Sequence, residues 1–400
     1  MKKNLLAVLS AVLVLAMTAF LSSIITYNFA LGDFKDRTED ISIQSERYKK
    51  IGDILGLIER NYIGEYDESD LIDGAAYGML TALDDRWSHY LNAEAFNRFN
   101  NTVEGQHAGI GAEATMDESG NIKLLEISSG TPAEKAGLIV YDVITAVDGE
   151  LVTDLGYQTA VRKVQGEAGT EVVLTIVRAG SGETFDVTVR RDLIDTVSIN
   201  YQMLDDGIGY IKIKSFSAKT ASEFQHAIAA MENQGVKAYI FDVRNNPGGT
   251  LTSLQSMLDA LLPEGKIITL KGNDGTEESL SSDDYEIDVP MVALINEYSI
   301  SAAEFFAAAL SEYDKAVLVG VRTTGKGYSQ ETFPLGDGTG ILLSTNEYFT
   351  PKGNNLANIG VAPDIEVILT EEQENMYYEL TPDTDPQILA GVGELKKKLS

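Results

Sequence analysis

The chain has 400 residues, enough for two or three ordinary domains, and a composition of 44% hydrophobic and 23% charged residues excludes a mainly disordered protein. With 31 Lys and Arg against 61 Asp and Glu the formal charge is -30, which argues against nucleic acid and anionic lipid headgroups as partners. Cysteine is absent and histidine is limited to His89, His107 and His226, so disulfides, a thiol nucleophile and cysteine-zinc sites are excluded and an imidazole triad has little material; a hydrolase here needs another base.

In chain order, Lys2 and Lys3 precede an apolar run from Leu5 to about Ile25. As a helix of about 21 residues it would rise ~32 Å, close to a bilayer's hydrocarbon thickness. The positive N-terminal flank predicts an uncleaved signal anchor within residues 1–30, with the remainder outside the cytoplasm; a cleaved signal peptide is the alternative. Residues 31–42 read as a polar linker. Helical spacing returns at Ile51, Ile54, Leu55 and Ile58, then at Leu71, Ala75, Met79 and Leu83, with Gly64 and Asp67 in the break. Tyr62, Trp87 and Tyr90 read as core aromatics.

Residues 105–192 change character. Short β-type runs at Lys123–Ile127, Asp142–Val147, Glu171–Val177 and Phe185–Val189 alternate with helical stretches at Ala133–Ala136 and Leu155–Val164, which predicts a small α+β module. From residue 193 to about 370 strands and helices alternate. Ile208–Phe216, Tyr239–Val243, Met291–Ile295 and Ala316–Val319 read as strands. Helices fit Ala218–Gln234, about 250–262 and about 301–311, an α/β core with a mostly parallel sheet. Residues 371–400 read as a partly helical tail.

Four segments can carry chemistry. Asn296–Glu304 runs from a buried strand into a helix; a serine there, Ser299 or Ser301, either caps the helix or presents its hydroxyl beside free N–H groups suited to an oxyanion. Thr323–Gln330 places Lys326 between two glycines, which is either a plain surface loop or, with the lysine held in an apolar pocket that lowers its pKa, a base whose amine Gln330 can orient. Gly320 through Lys326 also fits most of a phosphate-binding loop, but Gly327 stands where that loop needs a hydroxyl and extended chain follows instead of a helix. Asn245–Gly249 is a Gly-rich turn able to expose N–H groups, or else a plain connection. Gly109, Ile110, Gly111 and Ala112 form a glycine-bounded loop before a strand, a place to hold a terminal carboxylate while a peptide extends the sheet.

Together, over roughly residues 45–395, these segments resemble the carboxyl-terminal processing peptidases, or tail-specific proteases. The resemblance implies a ClpP/crotonase-like α/β core with an inserted PDZ domain at 105–192, and a serine endopeptidase that captures the C-termini of protein substrates. It implies Ser301 as nucleophile, Lys326 as base, Gln330 as its support, Gly248 or Gly249 with the Ser301 N–H as oxyanion donors, and Gly109–Ala112 as the peptide-carboxylate loop. Expected partners are protein or peptide tails with apolar ends and, as is common in the family, further copies of the chain, with no metal or organic cofactor. Tyr348–Gly353 and Gly360–Ile365 are similarly characteristic. The chain departs from the pattern at Ile300 and Ala303 in the serine run, at Tyr141 before Asp142, at Gln165 before Gly166, and at Leu83-Asp84-Asp85 in place of a Leu-Asp-Pro turn. The rival reading is a scaffold that binds tails without cutting them.

Overall fold

The computed structural model describes residues 48–400. They form two compact units, one ending at Leu83 and one running from Asp84 to Ser400. The first holds a helix over 48–61 and a second, Glu68–Thr81, whose N-cap Asp67 accepts a hydrogen bond from the Ser69 N–H. Ile51, Ile54, Tyr62 and Met79 on it are exposed, contrary to the core role expected of Tyr62. The expected membrane anchor lies outside the described residues; among those described, no helix is long and apolar enough to cross a membrane.

The second unit is built on a six-stranded sheet in the order Ile199–Met203, Ile208–Ile213, Ala238–Asp242, Met291–Ile295, Ala316–Gly320 and Ile365–Glu366. The first pair is antiparallel and every later pair parallel. Unbroken apolar runs on the central strands follow from burial on both faces. Tyr239, Phe241, Met291, Ala293 and Ile295 face helices Thr220–Glu232, Leu251–Asp259 and Ala302–Glu312 in the main core. Ile240, Val292 and Leu294 point the other way, onto Ile388 and Leu395 of the last helix, Pro386–Leu399.

A second sheet, wholly antiparallel, is absent from the sequence reading. It joins His89–Leu91, Gly340–Phe349, Gly265–Gly272 and Glu277–Ser282, with Tyr328–Pro334 also paired to Gly340–Phe349. Its register sets His89 opposite Leu342 across some 250 residues of chain, a pairing that local pattern cannot announce.

The module between them has its own core of Ile122, Leu124, Ile144, Leu174, Ile176 and neighbours. Its sheet runs Ala112–Met116, Ile122–Ile127, Val143–Val147, Glu171–Val177 and Thr184–Arg190. The chain enters and leaves through one ladder, with Gln106 opposite Asp195 and Gly109 opposite Asp192, the geometry of an insertion. Among the described residues, strand Ala112–Met116 pairs only with Ile122–Ile127, which leaves its other edge open to an added strand.

Candidate active site

Two serines compete for the turn after strand Met291–Ile295, and burial separates them. Ser299 is fully buried; its hydroxyl donates to the Val243 carbonyl at 2.8 Å and accepts the Asn296 N–H at 3.0 Å, so it ties the turn to the neighbouring strand. Ser301 starts helix Ala302–Glu312 with φ at 57°, a conformation L-residues rarely adopt. This kink presents its Oγ to a cleft of about 520 Å³, where it lies 2.8 Å from the Tyr348 hydroxyl. Lys326, Gln330, Gly248, Gly249 and Tyr348 line the same cleft, with Phe216, Leu251 and Leu342 supplying apolar wall.

Lys326 leads into strand Tyr328–Pro334, and this extended continuation removes the helix that a phosphate loop requires. Burial pushes its amine down to about 8, against the charges of Asp85 and Glu304, which pull it up. The amine donates to Gln330 Oε1, and Gln330 Nε2 donates to the Trp87 carbonyl. Trp87, expected in the core, is instead half-buried, with its ring centroid 4.7 Å from the Lys326 amine. Ser301 and Lys326 thus share the cleft while each holds another partner, Tyr348 for the hydroxyl and Gln330 for the amine.

The Gly-rich turn packs directly on the serine. A Cβ on Gly248 would stand 2.7 Å from the Ile300 carbonyl and 2.9 Å from Ser301 Cβ, so only glycine lets the turn approach this closely. Of the three expected oxyanion donors two are already engaged: Gly248 N–H donates to Asn246 Oδ1 at 2.8 Å and Ser301 N–H to Glu304 Oε2 at 2.9 Å. Gly249 N–H and Ala302 N–H, the first of the helix, donate to no protein group among the described residues, which leaves them available to an oxyanion.

Glu304 is the residue whose part the sequence reading missed. It is fully buried, and its two oxygens take four donors: Ser301 N–H, Lys326 N–H, Gly325 N–H and Thr323 Oγ1, at 2.6–2.9 Å. One carboxylate therefore fixes the serine turn to the lysine loop. A glutamate three residues into a helix that starts at serine reads as an N-terminal capping pattern, and that local role hid the longer one.

In the inserted module, Gly111 sits at φ 80° with no room for a Cβ, which would fall 2.4 Å from the Thr131 side chain. The N–H groups of Ile110 and Gly111 donate to no protein group among the described residues, while Gly109 is the last residue of the entry ladder and Ala112 opens the free-edged strand. Helix Tyr157–Gln165 carries Tyr157, whose hydroxyl donates to the Ala114 carbonyl of that strand at 3.2 Å.

The fold and the site describe an α/β core with a serine and a lysine in one cleft and an inserted α+β module. Family models match accordingly, Peptidase family S41 over residues 207–367, a PDZ domain over 125–178, and the N-terminal domain of the activating protease CtpB over 11–95. The carboxy-terminal-processing protease of Bartonella bacilliformis is 34% identical over 348 residues, covering 84% of this chain and 80% of its own. The carboxy-terminal processing protease CtpA of Bacillus subtilis is 32% identical over 376 residues, covering 94% and 78%. The chain belongs to the carboxy-terminal processing proteases, serine peptidases of family S41. A solved structure from Bacteroides fragilis, described as a candidate S41 protease, has a TM-score of 0.58 over 85% of this chain and 92% of its own at 16% identity, a likeness of fold alone.

Proposed function

We propose that this chain is an endopeptidase that holds substrate C-terminal tails on its PDZ domain, residues 105–192, and cuts them in the core, residues 193–370, by a Ser301–Lys326 acyl-enzyme mechanism. The observation that carries the reading is the shared cleft, in which a strained serine hydroxyl at a helix start and a desolvated lysine face one apolar-walled space. Neutral Lys326, freed from Gln330, takes the Ser301 proton as Oγ attacks the scissile carbonyl. The carbonyl oxygen becomes an oxyanion held by the Gly249 and Ala302 N–H groups. Collapse breaks the C–N bond, and Lys326 returns the proton to the leaving amine. A water then gives a proton to Lys326 and attacks the acyl ester; the acyl–Oγ bond breaks, Lys326 passes the proton to Ser301 Oγ, and the acid leaves. Gln330 orients the amine between steps.

The PDZ reading rests on the open strand edge beside two uncommitted N–H groups, where a terminal carboxylate and an extended tail both find partners. Tethering there raises the substrate's effective concentration at the cleft, and the apolar walls favour apolar tails. A mostly parallel sheet that shares its core with a second, antiparallel sheet also supports a ClpP/crotonase-like core. The N-terminal apolar run would anchor the protein with its catalytic part outside the cytoplasm; protection of the catalytic part from external protease in intact cells would overturn that placement.

The test incubates the full chain, Ser301→Ala and Lys326→Ala with an unfolded protein ending in apolar residues, and follows cleavage by mass spectrometry. Loss of cutting in both variants with tail binding intact is the expected result. Cutting that survives in Ser301→Ala would refute the mechanism, and tail binding with no cutting by the wild type would favour the scaffold.

A further inference from the structure

The loop Asp85–Ser88 stands over the proposed base. Its place is fixed from both ends: Asp85 accepts the Trp87 N–H at 3.0 Å and the Ser88 hydroxyl at 2.6 Å, and Ser88 Oγ accepts the Ser344 N–H at 3.0 Å. Strand His89–Leu91 then pairs with Gly340–Phe349, the strand that also carries Tyr348. The loop is therefore held to the same element that partners the serine.

We propose that Trp87 is a positioning residue for Lys326: its carbonyl fixes the Gln330 amide, its indole face bounds the space in which the amine sits, and the two together hold the base dry and oriented. The inference rests on the reading of Lys326 as base. The contacts are the Gln330 Nε2 donation to the Trp87 carbonyl and the 4.7 Å separation of the amine from the ring centroid, within the range of a cation–π contact. Arg86 lies over the same indole at 4.1 Å, so two cations compete for one ring. Burial, which comes first, and the Arg86 charge disfavour the charged amine, whereas Asp85, Glu304 and the ring face itself favour it; His89 stands beside Asp85. Trp87 is the sole tryptophan of the chain.

The sole tryptophan also makes the contact measurable. Indole emission of the full chain is followed between about pH 6 and 10, in the wild type and in Lys326→Met. The expected result is a transition near pH 8 in the wild type that is missing from Lys326→Met; emission that is flat in the wild type, or that titrates identically in both, overturns the proposal whatever happens to cleavage. Kinetics supply the second readout. Trp87→Ala opens the amine to water, so the acid limb of kcat/KM should move up by about one pH unit, roughly a tenfold loss near pH 7, and Trp87→Phe should restore most of it. An acid limb unmoved in a folded Trp87→Ala refutes the positioning role; if that variant does not fold, Trp87→Phe and the emission titration decide. A wild type that cuts no substrate would sink the base reading alone, since emission reports the contact without turnover.

Discussion

Two largely buried lysines in the core have amines pushed down to about 8 by burial, and only one stands where chemistry can use it. Lys212 lines a separate cleft of about 450 Å³ with Tyr210, Asp242, Arg244, Tyr377 and Asp385. Its amine lies 3.2 Å from Asp242 Oδ2 and donates to the Arg244 carbonyl and the Tyr377 hydroxyl at 2.9 Å each, so every proton it carries has an acceptor. Burial alone would push the Asp242 carboxyl up, but Arg244 and Lys212 outweigh it and hold the group well below the usual carboxylate range. Arg244 reaches on to Asp385 at 2.8 Å, clasping the start of the last helix to the sheet. Lys326, by contrast, forms no ion pair among the described residues and has a neutral amide and an aromatic face for company. A lowered lysine pKa therefore does not by itself mark a base; in the proposed mechanism the mark is an amine without an ion pair in the cleft that holds Ser301.

The comparison can be broken most directly at Lys326. Lys326→Met should reduce kcat/KM by about 10⁴-fold with tail binding retained. Glu304→Gln leaves an amide facing donors that a carboxylate accepted, and should lower kcat by about 10²-fold more than it raises KM. Since the Glu304 charge raises the Lys326 pKa, its loss should also shift the acid limb to lower pH, the opposite of Trp87→Ala. Lys212→Met should cost about 2 kcal/mol in denaturant unfolding, less than a stranded buried ion because Arg244 still neutralises Asp242. It should leave kcat within a few-fold; an equally folded Lys212→Met as inactive as Lys326→Met would erase the distinction. In the wild type, kcat/KM should climb about tenfold per pH unit up to about pH 8 and then level, because only the neutral amine accepts a proton; activity falling across that range would mean the charged form is needed. The smallest effect belongs to Tyr157→Phe. It frees the Ala114 carbonyl for an incoming tail and should tighten peptide binding by about threefold in an anisotropy titration; weaker binding would make Tyr157 a contact for the tail instead.

Strand Met291–Ile295 lies where its apolar run placed it, and the helix after it starts one residue beyond the expected position. Glu171–Val177 also matches to the residue, because alternation on a half-buried strand is a local signal. Strand Ile208–Ile213 ends three residues before its apolar run does: Phe216 remains buried, but it pairs with Gly249 in an isolated bridge. Ser301, Lys326 and Gln330 were legible as motifs, and the structure brings all three to one cleft. Trp87 was misplaced because an aromatic in a short loop after a helix carries no sign of what it faces.

By itself the sequence determined the α/β core, the inserted module and the short motifs, since periodicity, turn residues and glycine positions act over a few neighbouring residues. Tertiary structure decided which serine reaches the cleft, which of the two buried lysines has no ion pair, and which N–H groups remain uncommitted. Those properties depend on partners tens to hundreds of residues away, as where Tyr348 meets Ser301, Trp87 meets Gln330 and Glu304 joins two loops. Burial and hydrogen-bond saturation are sums over all neighbours in space, and a linear pattern holds only the neighbours in sequence.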